Sequence, residues 1–383
     1  MRKKYIIYSS LFIVLLSACR TEIPVTPPEE EKKGDTVHTE IVGFYLLNEG
    51  NMGSNKSTLD YYDYTTATYR RDVYAEANPD VVKELGDVGN DLQIYGGRLY
   101  AVINCSNKVE VMDVHTGKRI GQIDIPNCRY ICFDGPYGYV SSYAGPVSLD
   151  STHAQIGYVA RFDTASLQLR DRCLVGYQPD GVAIADGKLY VANSGGYMVP
   201  NYEHTVSVID LATFTEIKRI DVAVNLHRLV VDQHHQLWVS SRGDYYDIPS
   251  RLYCIDTRTD EVVAEIETAV SSMDLAGDSL YLCAAEWSYV EMDEVVTYGI
   301  VDVRNRQLVN THFITDGTDE KITKPYGIKV NPLTREIFVT DAKNYVNPGS
   351  LYCFATDGTQ KWTVRTGDIP AHIAFVNELK KNE

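Results

Sequence analysis

The chain has 383 residues, 44% of them hydrophobic, a formal charge of −16, and 28 Tyr against 9 Phe. That length admits two or three ordinary domains or one large β architecture. The acidic balance argues against nucleic acid or an anionic lipid surface as the main partner, and the excess of Tyr over Phe favours rings with one wet end over plain core packing.

Residues 1–18 open with Arg2, Lys3 and Lys4, pass into an apolar run at 11–16 and end in small residues. This is the pattern of a secretory signal, because the apolar core is far shorter than the roughly 20 residues of a spanning helix. Leu16-Ser17-Ala18-Cys19 resembles the lipobox of bacterial lipoproteins. That likeness implies cleavage before Cys19, lipidation of Cys19 and anchoring of the mature chain to a membrane. Loss of three cations with the leader takes the formal charge from −16 to −19. Residues 19–40, with Pro and charge but few apolar side chains, read as a lipidated flexible tether. Residues 41–383 are the folded domain.

Within that domain a strand of the form L-Y-V-x recurs seven times, as in FYLL at 44–47, LYAV at 99–102, LYVA at 189–192 and LWVS at 237–240. Each is followed by a second strand that ends in Asp, such as VEVMD, VSVID and RLYCID, then by a third and a more apolar fourth. Four short strands per unit at intervals of about 40 to 57 residues predict an all-β, seven-bladed β-propeller of four-stranded antiparallel blades. The chain enters at the second strand of a blade and leaves after an innermost-type strand at 372–376. That C-terminal strand is therefore expected to complete the first blade and leave no open edge.

Residues 78–86 (NPDVVKELG) carry Asn at a cap position, Pro after it and a closing Gly, which predicts a short helix. Apart from Cys19 there are seven cysteines, none in a CxxC pair. Cys254, Cys283 and Cys353 sit in apolar strand patterns and read as buried thiols. Cys105, Cys128, Cys132 and Cys173 are left open between thiol and disulfide, with Cys105–Cys128 the pairing an exported chain permits.

The connections differ by face. Turns after the first and third strands are short, such as IADGK and DTRTDE, whereas those after the second and fourth are long, such as NSGGYMVPNYEH and SRGDYYDIPS. Long loops on a rigid scaffold are where function collects, and here they hold Tyr143, Tyr197, Tyr202, Tyr245, Tyr246, Trp287, Tyr289 and Tyr345. Aligned innermost strands place Asp91, Tyr130, Gly181, His227, Ser272, Gly327 and His372 in a ring at the channel mouth, preceded by positions that include Tyr326. With Asn193 and Arg242 beside them, the candidate ligand contacts are Asp91, Tyr130, Tyr143, Asn193, Tyr197, Tyr202, His227, Arg242, Tyr245, Tyr246, Trp287, Tyr289, Tyr326, Tyr345 and His372. No GxSxG, HExxH or phosphate-loop motif occurs. His234-His235 lies in a plain turn, and residues 316–320 (DGTDE) lack the ligand spacing of a calcium loop. The expectation is a binding protein, with no catalytic residue, metal or cofactor.

The tyrosine-rich strands and closing strand resemble the YncE-like seven-bladed propellers over residues 43–376. Together with the lipobox and acidic tether they resemble the BtuG family of surface lipoproteins from gut Bacteroides-type bacteria. That resemblance implies capture of cobalamin or a related corrinoid on the long-loop face and hand-off to a BtuB-like TonB-dependent outer-membrane transporter. The Tyr and Trp side chains would then meet the corrin and the mouth ring its amides. The residues themselves leave open a surface glycan-binding lipoprotein of a polysaccharide-uptake system, since aromatic platforms with Asn and Asp suit sugars equally. A lyase or hydrolase at the channel mouth is the third reading.

Overall fold

The computed structural model describes residues 37–81, 84–147, 152–288 and 292–381. The predicted leader, Cys19 and most of the tether lie outside these, as does Tyr289. The first strand, Val37–Asn48, begins inside the stretch read as tether.

The L-Y-V segments form strands because aromatic and branched residues suit a pleated surface. They sit deep within each blade. In the second blade Arg98–Ile103 is buried from Leu99 onward, Lys108–Asp113 through its middle, and Arg119–Asp124 is mostly exposed. Burial falls outward because only the outermost strand borders solvent. Seven four-stranded antiparallel sheets result, forming a seven-bladed β-propeller within the compact unit Thr39–Glu378. Of the second unit, Met1–His38 with Leu379–Glu383, the described residues are strand ends.

The first blade runs from Pro370–Lys381 through Val37–Asn48 and Thr58–Asp63 to Thr68–Arg70. The C-terminal strand is thus innermost in the sheet begun by Phe44, as the phase of the repeat predicts. Seven apolar clusters fill the seven junctions between blades. The junction at the seam packs Phe44 and Leu46 of blade one against Phe338, Leu351 and Cys353 of blade seven.

On the short-turn face one device repeats. In six blades the Asp that ends the third strand accepts hydrogen bonds from backbone N–H groups of the following turn: Asp63 from Thr65, Asp113 from Thr116, Asp163 from Ser166, Asp210 from Thr213, Asp256 from Arg258 and Asp302 from Arg304; in blade seven the strand ends at Phe354 and Asp357, within the turn, accepts from Thr359. A short carboxylate side chain mimics a backbone turn in this way.

One expectation changes, and two points left open are settled. The predicted helix over 78–86 is replaced by a helix at Val73–Ala77, whose C-cap, not N-cap, is Asn78. The Asn78 amide donates to the carbonyls of Tyr74 and Gly117 and accepts from Arg119 N–H, and this bridge to the neighbouring blade holds it outside a helix of its own. The permitted Cys105–Cys128 disulfide is absent, and all seven described cysteines are free thiols. In the plain turn, His234 and His235 each meet a separate carboxylate, Asp278 at 2.7 Å and Asp186 at 2.9 Å.

Candidate ligand-binding site

A register shift opens the innermost strands of blades two, three, four, five and seven. Bulges of this kind re-aim side chains, here toward the axis. Pairing puts Ile131 opposite Val140, Val182 opposite Val191, Leu229 opposite Val239 and Ile328 opposite Val339. The residues before them, Tyr130, Gly181, Arg228 and Gly327, are therefore equivalent. The N–H groups of Tyr130, Arg228 and Gly327 each donate to a second-strand hydroxyl, of Ser141, Ser240 and Thr340.

Arg228, not His227, thus completes the ring with Asp91, Tyr130, Gly181, Ser272, Gly327 and His372. The sequence alignment was one residue out in blade five. Matching LHRLVVD to CRYICFD from their shared final Asp gives the structural answer. All ring members but Gly327 line an axial channel of about 170 Å³. The preceding positions Asn90, Arg129, His227, Ser271 and Tyr326 line a wider cavity of about 1140 Å³.

One side of the mouth is built on Asp180, whose side chain is fully buried. Its Oδ1 accepts from Arg129 Nε at 3.0 Å and from the Tyr143 hydroxyl at 2.8 Å, and its Oδ2 accepts from Arg242 Nη1 at 3.0 Å. Burial alone would raise the Asp180 pKa, but the two guanidiniums reverse that and hold the carboxyl below its ordinary range. Arg129 also lies over the Tyr143 ring, 4.8 Å from its centroid. Next to this group the Tyr130 hydroxyl meets His227 Nε2 at 2.9 Å. Burial, then Arg242, Arg228 and Arg129, push the His227 pKa well below the usual histidine range, so its ring is neutral. Across the mouth, Glu49 accepts from the Tyr326 hydroxyl at 2.8 Å and contacts His372 Nε2 at 3.3 Å.

The rim is aromatic. Tyr197 (46% exposed), Tyr245 (53%), Tyr246 (70%) and Trp287 (51%) all line the wide cavity. Asp244 shapes the loop that carries two of them, its Oδ1 accepting from the N–H groups of Tyr246 and Ile248. Glu286 on the same wall has its pKa raised by burial.

Of the predicted contacts, Tyr130, Tyr197, His227, Arg242, Tyr245, Tyr246, Trp287 and Tyr326 line this cavity. Asp91 and His372 line the channel beneath it. Tyr345 packs edge-on against Tyr326. Tyr143 is buried on Asp180, and Tyr202 is buried with its hydroxyl toward the Asp244 carbonyl. Asn193 is a buried brace: its amide donates to Thr205 and Ser207, and its oxygen accepts from Gly176 N–H. A Cβ on Gly176 would meet Asn193 Cγ at 2.5 Å, so only glycine admits this brace.

Sequence reasoning missed Arg228, Glu49 and Glu286 as wall and floor residues, and placed Asp180 at the mouth without its role in holding Arg129, Arg242 and Tyr143. Arg228 alone had a signal, as the one cation in the ring once blade five is aligned from its C-terminal end. Among the described residues no cluster of His, Cys, Asp and Glu is placed to hold a metal.

Solved structures share the architecture. The chain is similar to hydrazine synthase of Kuenenia stuttgartiensis, with a TM-score of 0.59 and 13% identity over 77% of this chain and 95% of that one. It is likewise similar to a quinonprotein alcohol dehydrogenase-like protein of Bacteroides thetaiotaomicron, with a TM-score of 0.58 and 16% identity over 88% of this chain and 79% of that one. At such identities the likeness extends to the fold alone. No curated protein matches the chain. Residues 42–368 match the family described as a domain of unknown function, DUF5074, and the chain belongs to that family.

Proposed function

We propose that this chain is a lipid-anchored outer-membrane protein at the cell surface that captures cobalamin or a related corrinoid on its long-loop face. It passes this cargo to a BtuB-like TonB-dependent transporter and is a binding protein, not an enzyme. The observation that carries the reading is the cavity of about 1140 Å³, with Tyr197, Tyr245, Tyr246 and Trp287 at its rim and hydrogen-bonding groups such as Asn90, Ser271 and Tyr326 at its floor. It exceeds the roughly 300–1,000 Å³ of ordinary small-molecule pockets. A broad macrocycle with amide arms offers faces to the rings and edges to the floor. Several tens of heavy atoms at about 0.3 kcal/mol each permit very tight capture. The Leu16-Ser17-Ala18-Cys19 stretch supports anchoring through Cys19.

The test is gel filtration of the purified full chain, held in detergent, after mixing with cyanocobalamin. The expected result is colour that elutes with the protein at near one-to-one stoichiometry. Colour confined to the small-molecule volume would remove the corrinoid reading, and heat released on titration with oligosaccharides would then favour glycan binding.

A further inference from the structure

Charges withdrawn from water in folded proteins are ordinarily paired. Arg228 is half-buried and has no such partner. Its guanidinium lies over the Tyr130 ring, 4.8 Å from the centroid, on the wall shared by the channel and the wide cavity. Among the described residues it makes no ion pair and no side-chain hydrogen bond, and its Nε is buried without a partner. Its neighbours do not supply the missing charge. Asp180 is spent on Arg129 and Arg242, and Glu49 on Tyr326 and His372. The Asp91 carboxylate accepts from the N–H groups of Leu92 and Ile131. His227 is neutral, and its Nδ1 is also buried without a partner. Arg129, Arg228 and Arg242 thus gather with Asp180 around the Tyr130–His227 pair, in a chain whose formal charge is −16.

We propose that Arg228, with Arg242 lining the same cavity, forms an oxyanion seat at the channel mouth that takes a phosphate-type group carried by the ligand of this face. A guanidinium presents a planar fork of donors that matches phosphate oxygens, and it is weakly hydrated enough to wait on an aromatic face. The seat deepens the capture reading, since it rests on the wide cavity being the binding site; it does not depend on the ligand being a corrinoid.

The test is thermal melting of the purified full chain in detergent with inorganic phosphate, acetate or chloride at matched ionic strength. Phosphate at about ten times its Kd is expected to raise the Tm by on the order of 1–2 °C over chloride, with a smaller rise in acetate. Arg228→Gln is expected to abolish the phosphate shift while leaving the Tm in chloride equal or higher, because it removes an unpaired charge. Arg228→Lys, which keeps the charge but not the fork, should retain part of the shift and guards against a folding defect in the glutamine variant. Arg170→Gln, at an exposed ion pair with Asp163, should retain all of it. Equal melting in phosphate and chloride, a full shift in Arg228→Gln, or an acetate shift as large as that of phosphate would each overturn the proposal. Corrinoid retention and the phosphate shift are read separately, so either can fail without the other.

Discussion

The two faces of the ring solve the same problem in opposite ways. On the short-turn face every blade closes the turn after its third strand with an Asp that accepts backbone N–H groups, at the strand's end from Asp63 round to Asp302 and within the turn at Asp357. On the long-loop face no device is used in every blade. Asn193 braces one junction, Asp180 gathers two arginines and a tyrosine at another, and Glu49 holds Tyr326 and His372 at a third. Repetition marks the face where only closure matters, and divergence marks the face where side chains converge on a cavity.

The sharpest way to break this contrast is Asp180→Ala. It strands Arg129 and Arg242 and leaves the Tyr143 hydroxyl without its acceptor, so we expect a loss of about 3–5 kcal/mol in chemical denaturation. A loss below about 1 kcal/mol would mean that the cluster relaxes into solvent. Next in size is Trp287→Ala, at a half-exposed rim position. Cyanocobalamin affinity should fall roughly tenfold to a hundredfold, about 1.4–2.7 kcal/mol, with the Tm unchanged. Spectral titration reads the first and calorimetry the second.

Acid should act through the short-turn face as well as through Asp180, whose carboxyl Arg129 and Arg242 hold below its ordinary range. Hydrogen bonds from Thr116, Ser166, Thr213, Arg258, Asn305 and Thr359 lower the pKa values of Asp113, Asp163, Asp210, Asp256, Asp302 and Asp357, that of Asp163 to about 2. A carboxyl with a depressed folded pKa contributes stability above its unfolded value, near 3.9, and loses it as pH falls through the folded value. The Tm should therefore hold from neutrality to about pH 5 and drop progressively between about pH 4 and 2. Burial raises the pKa values of Asp60, Asp72 and Glu286, which oppose the trend, but they are fewer. The smallest effect expected is from Asp113→Ala, a Tm decrease of less than about 2 °C with ligand affinity untouched, because one exposed turn is loosened far from the cavity.

The fold was legible because strand periodicity and the terminal Asp recur with every blade, so seven weak signals reinforce one another. Even the closing strand followed from the phase of the repeat. The rim was legible for a related reason: Tyr197, Tyr245 and Trp287 stand in long loops that interrupt the pattern. The floor was not. Arg228 was passed over because the bulge that opens its strand shifts the register by a residue, and a bulge leaves no mark in composition. Tyr143, Tyr202 and Asn193 read as ligand contacts for want of a sign that they brace the loops from behind. Local spacing does not say whether a polar residue faces a cavity or a neighbouring blade. The helix expected at 78–86 failed in the same way, since Asn78 is a good cap at either end of a helix and tertiary bonds to Gly117 and Arg119 decided which.

Hydrogen exchange with and without cyanocobalamin tests the central claim most directly, because it reports which face the ligand occupies. Slower exchange is expected in residues 194–203, 242–250 and 284–287, with the short turns at 115–118, 212–215 and 258–261 unchanged. No protection anywhere, or protection at the short turns, would contradict it.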